Sequence, residues 1–188
     1  RKECVDSSIL VSQSYGNRSV MVLHSSSHGF FTDILQCLAL KLGFKTHSVE
    51  VLVNAFKQQC SEKSAVYANF HSRGALEAKC ALQYLTDDEL AKINIRTYGG
   101  ASMILNDKLA TCYNYVSTMD PVPFVSDPIG VISSWWKGDE RVVFLPSNHC
   151  MPIDHAFNGK TYQKALKSPI LARAKNSRFK SATAYSVN

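Results

Sequence analysis

Short apolar runs rich in strand formers alternate along this chain with stretches whose apolar residues recur at helical spacing. Residues 19–24, Ser-Val-Met-Val-Leu-His, read as a buried strand. Residues 30–42 place Ile34, Leu35, Leu38 and Leu42 on one helical face and stop at Gly43, a favoured helix terminator. Residues 47–53 alternate weakly and predict a second strand, with a short amphipathic helix over 54–63. A compact apolar strand over 66–70 is followed by a helix over 75–85. Thr86 with Glu89 three residues on forms a capping-box pattern for a short helix. Strands follow over 93–98, closed by Gly99-Gly100, over 110–116, and over 141–145. Pro121, Pro123, Pro128 and Gly130 mark a long connection holding Trp135-Trp136, and 162–171 has helical character interrupted by Pro169.

Strands alternating with helices predict an α/β domain with a mainly parallel central sheet and helices on both faces. The 188 residues suit one domain, 1–188, with a core over 19–165 and a basic C-terminal segment over 166–188. Open parallel sheets carry their sites at the carboxyl ends of the strands. The loop at 25–29, Ser72, Asp120 and the region from His149 to His155 each follow a predicted strand. All four are thereby expected at one sheet edge.

Composition narrows the class. A hydrophobic fraction of 45% with 19% charged residues fits a globular domain rather than a disordered chain. No apolar run reaches the length of a membrane span, and residues 1–10 lack the build of a signal peptide. The net charge of +6 is concentrated at one end: residues 156–188 hold seven basic side chains and no acidic one. A solvated basic face and tail is the plain interpretation, with contact to an anionic membrane surface the functional one. That segment has few aromatics to stack on bases, so nucleic acid is not expected. The six cysteines are scattered with no C-x-x-C pair, which favours buried thiols in a reducing compartment, although the even count leaves disulfides open.

One stretch carries most of the candidate chemistry. Residues 65–76 run Ala-Val-Tyr-Ala-Asn-Phe-His-Ser-Arg-Gly-Ala-Leu, a strand, a sharp turn with Ser72 at its apex, and a helix. This arrangement lifts a hydroxyl out of a fold for attack. The competing interpretation is a serine capping an ordinary strand-to-helix turn. A serine nucleophile needs a base, and the base an orienting acid. Asp120 opens a proline-stiffened loop after a strand, and His155 follows the last strand. They stand in the order serine, acid, histidine found in α/β-hydrolases. Asp127, also before a proline, competes for the acid role and His149 for the base. An oxyanion site needs backbone amides: Arg73 after the serine, and Ser26, or equally Ser25 or Ser27, in the loop after the first strand. His24 and His28 flank that loop, and His28 either lines the site or is simply an exposed loop histidine. His149, Cys150 and His155 match no zinc spacing. No metal or organic cofactor is expected. Trp135-Trp136 is either a lid or acyl-chain contact, or core aromatics anchoring a long loop.

The Asp-x-Val-Pro segment at 120–123 with its later loop histidine, together with His71-Ser72-Arg73-Gly74-Ala75, resembles class 3 (fungal-type) lipases. Arg96-Thr97-Tyr98-Gly99-Gly100-Ala101 and His155-Ala156-Phe157-Asn158-Gly159-Lys160-Thr161-Tyr162 look closer still to lipase-like proteins of chlamydiae. The likeness spans roughly residues 19–165. It implies an α/β-hydrolase-like fold, hydrolysis of a small ester or lipid through an acyl-enzyme, and Ser72, Asp120 and His155 as nucleophile, acid and base. It also implies either a bacterial cytoplasmic or a host-secreted location. One departure stands out. The residue two before the serine is usually small, and here it is Phe70. A non-catalytic scaffold is the alternative that this departure raises.

Overall fold

The computed structural model describes residues 2–17, 20–23, 46–147, 154–166 and 184–187. Six strands form one sheet: β1 (Val20–Leu23), β2 (Val66–His71), β3 (Ile93–Tyr98), β4 (Thr111–Ser117), β5 (Val142–Leu145) and β6 (Ala184–Val187). Their spatial order is β1-β6-β2-β3-β4-β5, and each pair is parallel. The helices are α1 (Lys2–Ser14), α2 (His47–Glu62), α3 (Arg73–Leu82), α4 (Asp87–Leu90), α5 (Pro121–Ser126), α6 (Pro128–Lys137) and α7 (Lys160–Leu166). The α/β class and the parallel sheet match the sequence expectation.

The strands sort their side chains by period two. Val66, Ala68 and Phe70 of β2 lie with Ile93, Ile95 and Cys112 in one core, against Val49, Leu52 and Phe56 of α2 and Ala75, Ala78 and Ala81 of α3. The opposite face gathers Tyr98 and Tyr115, paired in register and stacked at 5.3 Å, with Val11 of α1 and Tyr162 and Leu166 of α7. Helices therefore cover both faces. Cys60, Cys80 and Cys112 are free thiols, and burial pushes Cys112 up to about 12.

Several expectations are corrected. Residues 47–53 are not a strand. They begin α2, because Thr46 caps the helix by accepting the Val49 amide, and Val49, Leu52, Val53, Phe56 and Cys60 make a continuous buried stripe. The valines at 49, 51 and 53 satisfy period two as well, and the stripe extending to Cys60 decides for the helix. The long connection folds as α5 and α6. Each starts with an aspartate cap and a proline in its first turn, Asp120-Pro121 and Asp127-Pro128. Gly138, at φ 61°, ends α6 in the left-handed conformation. Trp135 and Trp136 are not core anchors but lie exposed on α6. Within the basic C-terminal segment, β6 pairs with both β1 and β2. The helix predicted over 30–42 lies outside the described residues, as do most of the C-terminal basic side chains.

Phe70 packs its ring 6.2 Å from that of Phe56 and is fully buried. The close helix approach is taken up elsewhere. A Cβ on Gly100 would stand 2.8 Å from the Ala75 Cβ, so the turn after β3 supplies the missing bulk-free position. Phe70→Ala is expected to cost about 3–5 kcal/mol of unfolding free energy through the cavity left beside Phe56, read from denaturant midpoints.

Candidate functional site

β2 delivers Ser72 at the carboxyl edge of the sheet, directly before α3. Its backbone has φ 52° and ψ −125°. Among described residues other than glycine, only Asn17 shares a positive φ. A non-glycine held there stores roughly 1–3 kcal/mol of strain. Three backbone hydrogen bonds hold it: the Ser72 amide donates to the Tyr98 carbonyl at 3.2 Å, and the Ser72 carbonyl accepts from the Ala101 amide at 2.9 Å and the Ala75 amide at 3.2 Å. Ser72 occupies the cap position of α3, yet its side chain makes no capping hydrogen bond. This sets it apart from an ordinary serine cap, whose hydroxyl binds a first-turn amide.

That hydroxyl instead meets His155. Ser72 Oγ lies 3.0 Å from His155 Nε2, and His155 Nδ1 lies 2.9 Å from Asp120 Oδ2. A carboxylate only accepts, so Nδ1 carries the proton and donates to it. Nε2 is then the lone-pair nitrogen that accepts from the serine. Ser72 and Asp120 follow the ends of β2 and β4, and His155 lies in the segment between β5 and α7. Asp120 is completely buried and is engaged at both oxygens. Oδ1 accepts the Val122 amide at 3.0 Å, and Oδ2 also accepts the Tyr162 hydroxyl at 2.7 Å. Burial and the neighbouring carboxylate drive the Tyr162 pKa upward, so this phenol stays a donor. Gly99, at φ 55°, passes close by, and a Cβ there would stand 2.5 Å from Asp120 Oδ2 and 2.8 Å from the Tyr162 hydroxyl. Only glycine fits both the conformation and the space.

The segment bearing His155 is fastened on two sides. Asp154 is buried and accepts from Ser147 at 2.6 Å, from Thr161 at 2.7 Å and from Ser117. On the other side His71 Nε2 donates to the His155 carbonyl at 2.6 Å. The His71 ring lies 4.7 Å from the His155 ring and edge-on to Phe157 and Tyr162. Burial, then the nearby His155, lower the His71 pKa to about 4, which keeps this ring neutral.

Of the residues singled out from sequence, Ser72, Asp120 and His155 are brought together. Arg73 opens α3 beside Ser72, with its amide in the helix's first turn and its side chain paired to Glu77 at 3.3 Å. Asp127, the alternative acid, is turned elsewhere. It caps α6 and accepts from Gly130, Met103 and Ser102, which lowers its pKa against the opposing effect of burial. Ser26, with Ser25, Ser27, His24 and His28, lies outside the described residues, as does His149. His71, Gly99, Asp154 and Tyr162 were not read from sequence as site residues. The glycine pair closing β3 and the acid beside His155 were visible there, but their partners are brought near only by the fold. Comparisons with protein-family models, curated proteins and solved structures give no match.

His71 generates a pH prediction. The unfolded imidazole titrates near 6.5 and the folded one near 4, so between these values the unfolded chain binds the extra proton. Stability from this group is complete above pH 6.5 and is lost as pH falls toward 4, by up to about 3 kcal/mol. Urea midpoints measured from pH 7 to 4 are expected to fall. His71→Gln, which keeps a donor but does not titrate, is expected to flatten that slope.

Proposed function

We propose that this chain is a serine carboxylic-ester hydrolase with an α/β-hydrolase-like fold, working through an acyl-enzyme. The observation supporting it is the continuous line Ser72 Oγ, His155 Nε2, His155 Nδ1, Asp120 Oδ2, with links of 3.0 and 2.9 Å, ending on a serine of strained backbone at the head of a helix. An idle surface serine needs neither the strain nor the buried acid behind its partner.

In the proposed reaction the Ser72 oxygen bonds to the ester carbonyl carbon as its proton passes to His155 Nε2. The resulting imidazolium is stabilised by Asp120 through Nδ1–H, and the Arg73 amide binds the developing oxyanion. His155 then gives the proton to the departing alkoxide. Water repeats the sequence on the acyl-enzyme, releasing the acid and restoring the serine. An alcohol in place of water would make the same site an acyltransferase. The serine, aspartate, histidine order is also that of the class 3 lipase likeness. What favoured a non-catalytic scaffold was Phe70. Its ring packs against Phe56, in the core on the opposite side of β2 from His71.

Ser72→Ala is expected to lower kcat for p-nitrophenyl butyrate by about four orders of magnitude or more while leaving thermal unfolding intact. The wild type is expected to take up a fluorophosphonate at Ser72. Equal turnover by the variant, or no labelling of a folded wild type, would refute the assignment. Tyr162→Phe removes one donor from Asp120. It is expected to lower kcat roughly ten- to a hundredfold with little change in KM, since a hydrogen bond to a charged group contributes about 1.5–3 kcal/mol.

A further inference from the structure

Arg96 stands in the middle of β3, in register between Asn69 of β2 and Tyr113 of β4. Strand alternation sets it on the sheet face of Tyr98 and Tyr115, the face that gathers residues of α1 and α7. The residue is only 8% exposed. A guanidinium keeps its proton inside a protein, so this is a charge taken out of water. Such a charge is costly unless an anion, or acceptors for all its N–H groups, meet it.

Neither condition is fulfilled among the described residues. Arg96 Nη1 is buried and has no hydrogen-bond partner there. None of the ion pairs between described residues includes Arg96. The groups that face its charge are the phenols of Tyr98, Tyr15 and Tyr115. Burial raises the pKa of Tyr98 and of Tyr15, so both stay protonated and neutral. The Tyr115 hydroxyl, diagonal to Arg96 across β3 and β4, is a second buried group without a partner. The side-chain amide between them is already engaged. Asn69 Oδ1 accepts the Tyr98 hydroxyl at 3.3 Å, and Asn69 Nδ2 donates to the Tyr15 oxygen at 3.4 Å.

The cluster thus combines a fixed positive charge, an orphaned N–H and an orphaned hydroxyl, with no carboxylate beside them among the described residues. Donors around a cation select an anion, and reject a metal ion or an apolar ligand. Tyr67 and Asn94, one pleat nearer the strands' amino ends, are only half-buried, as is Tyr113 alongside, so solvent reaches that side of the cluster. Asn69, Tyr98, Tyr115 and Tyr15 are all buried, and this enclosure favours an ion of small radius.

We infer that Arg96 and Tyr115 form an internal binding site for a small inorganic anion of the halide class, held by Arg96 Nη1 and the Tyr115 hydroxyl on the sheet face between α1 and α7. This goes beyond the proposed ester chemistry and does not depend on it.

Urea unfolding over a series of chloride concentrations, with gluconate keeping ionic strength constant, reads the site. Chloride is expected to raise the folding equilibrium constant saturably, about elevenfold at roughly ten times its dissociation constant. Chloride-35 NMR of the folded wild type is expected to show excess line broadening that bromide competes away. Arg96→Met is expected to lose both effects. Tyr115→Phe, which removes one donor and keeps the ring, is expected to weaken chloride binding several-fold. Ser72→Ala is expected to respond to chloride like the wild type, which separates this inference from the catalytic one. Wild-type stability and linewidth indifferent to chloride, or a chloride effect of equal size in Arg96→Met, would overturn it. Should Arg96→Met fail to fold, unchanged chloride binding by Tyr115→Phe would overturn it equally.

Discussion

A carboxylate removed from water at the end of β4 is the constraint on which the site depends. Asp120 must be satisfied where it is buried, and the fold supplies the Val122 amide, the Tyr162 hydroxyl and His155 Nδ1–H. Each partner comes from a different stretch of chain. Fixing the acid therefore fixes the start of α5, the first turn of α7 and the ring plane of His155. Gly99 is part of the same arrangement, because any side chain there would occupy the space taken by the carboxylate and the phenol.

The serine is positioned by a separate set of forces. Its unfavourable φ is held between a hydrogen bond to the end of β3 and one from Ala101, with Phe70 anchored in the core two residues before it. Two rigid supports, one for the strained serine and one for the acid and base, meet at the hydrogen bond of 3.0 Å between Ser72 and His155. His71 couples them. It is the residue before Ser72, and it carries the backbone of His155 on its ring nitrogen. Remaining uncharged lets it lie against a second imidazole without repulsion. This is the reason its desolvation matters to the site as well as to stability.

Much of this was legible in the chain. The strand, turn and helix around Ser72, the capping box at Thr86 and Glu89, and the parallel α/β class follow from local pattern. Asp120 and His155 were legible as types in the right order after predicted strands. The helix α2 was misread as a strand followed by a helix, because Val49, Val51 and Val53 fit both periods over a short window. The Asp-Pro pairs were read as loop punctuation, although each starts a helix with its acid as cap. Asp120 was favoured over its competitor Asp127 because it follows a strand, and the fold sets it against His155 while Asp127 caps α6.

The sequence by itself determined the strands around residues 20, 66, 93, 111 and 142 and the helix after Ser72, because apolar periodicity, caps and turn residues act within a few positions. It also determined that a serine, an acid and a histidine follow strand ends in workable order. The tertiary structure alone decided which aspartate faces the histidine, that Tyr162 and His71 support them, and that the tryptophans face outward. It also decided that the last four strand residues pair inside the sheet. These outcomes depend on contacts between residues tens of positions apart, which register and packing select and no local pattern encodes.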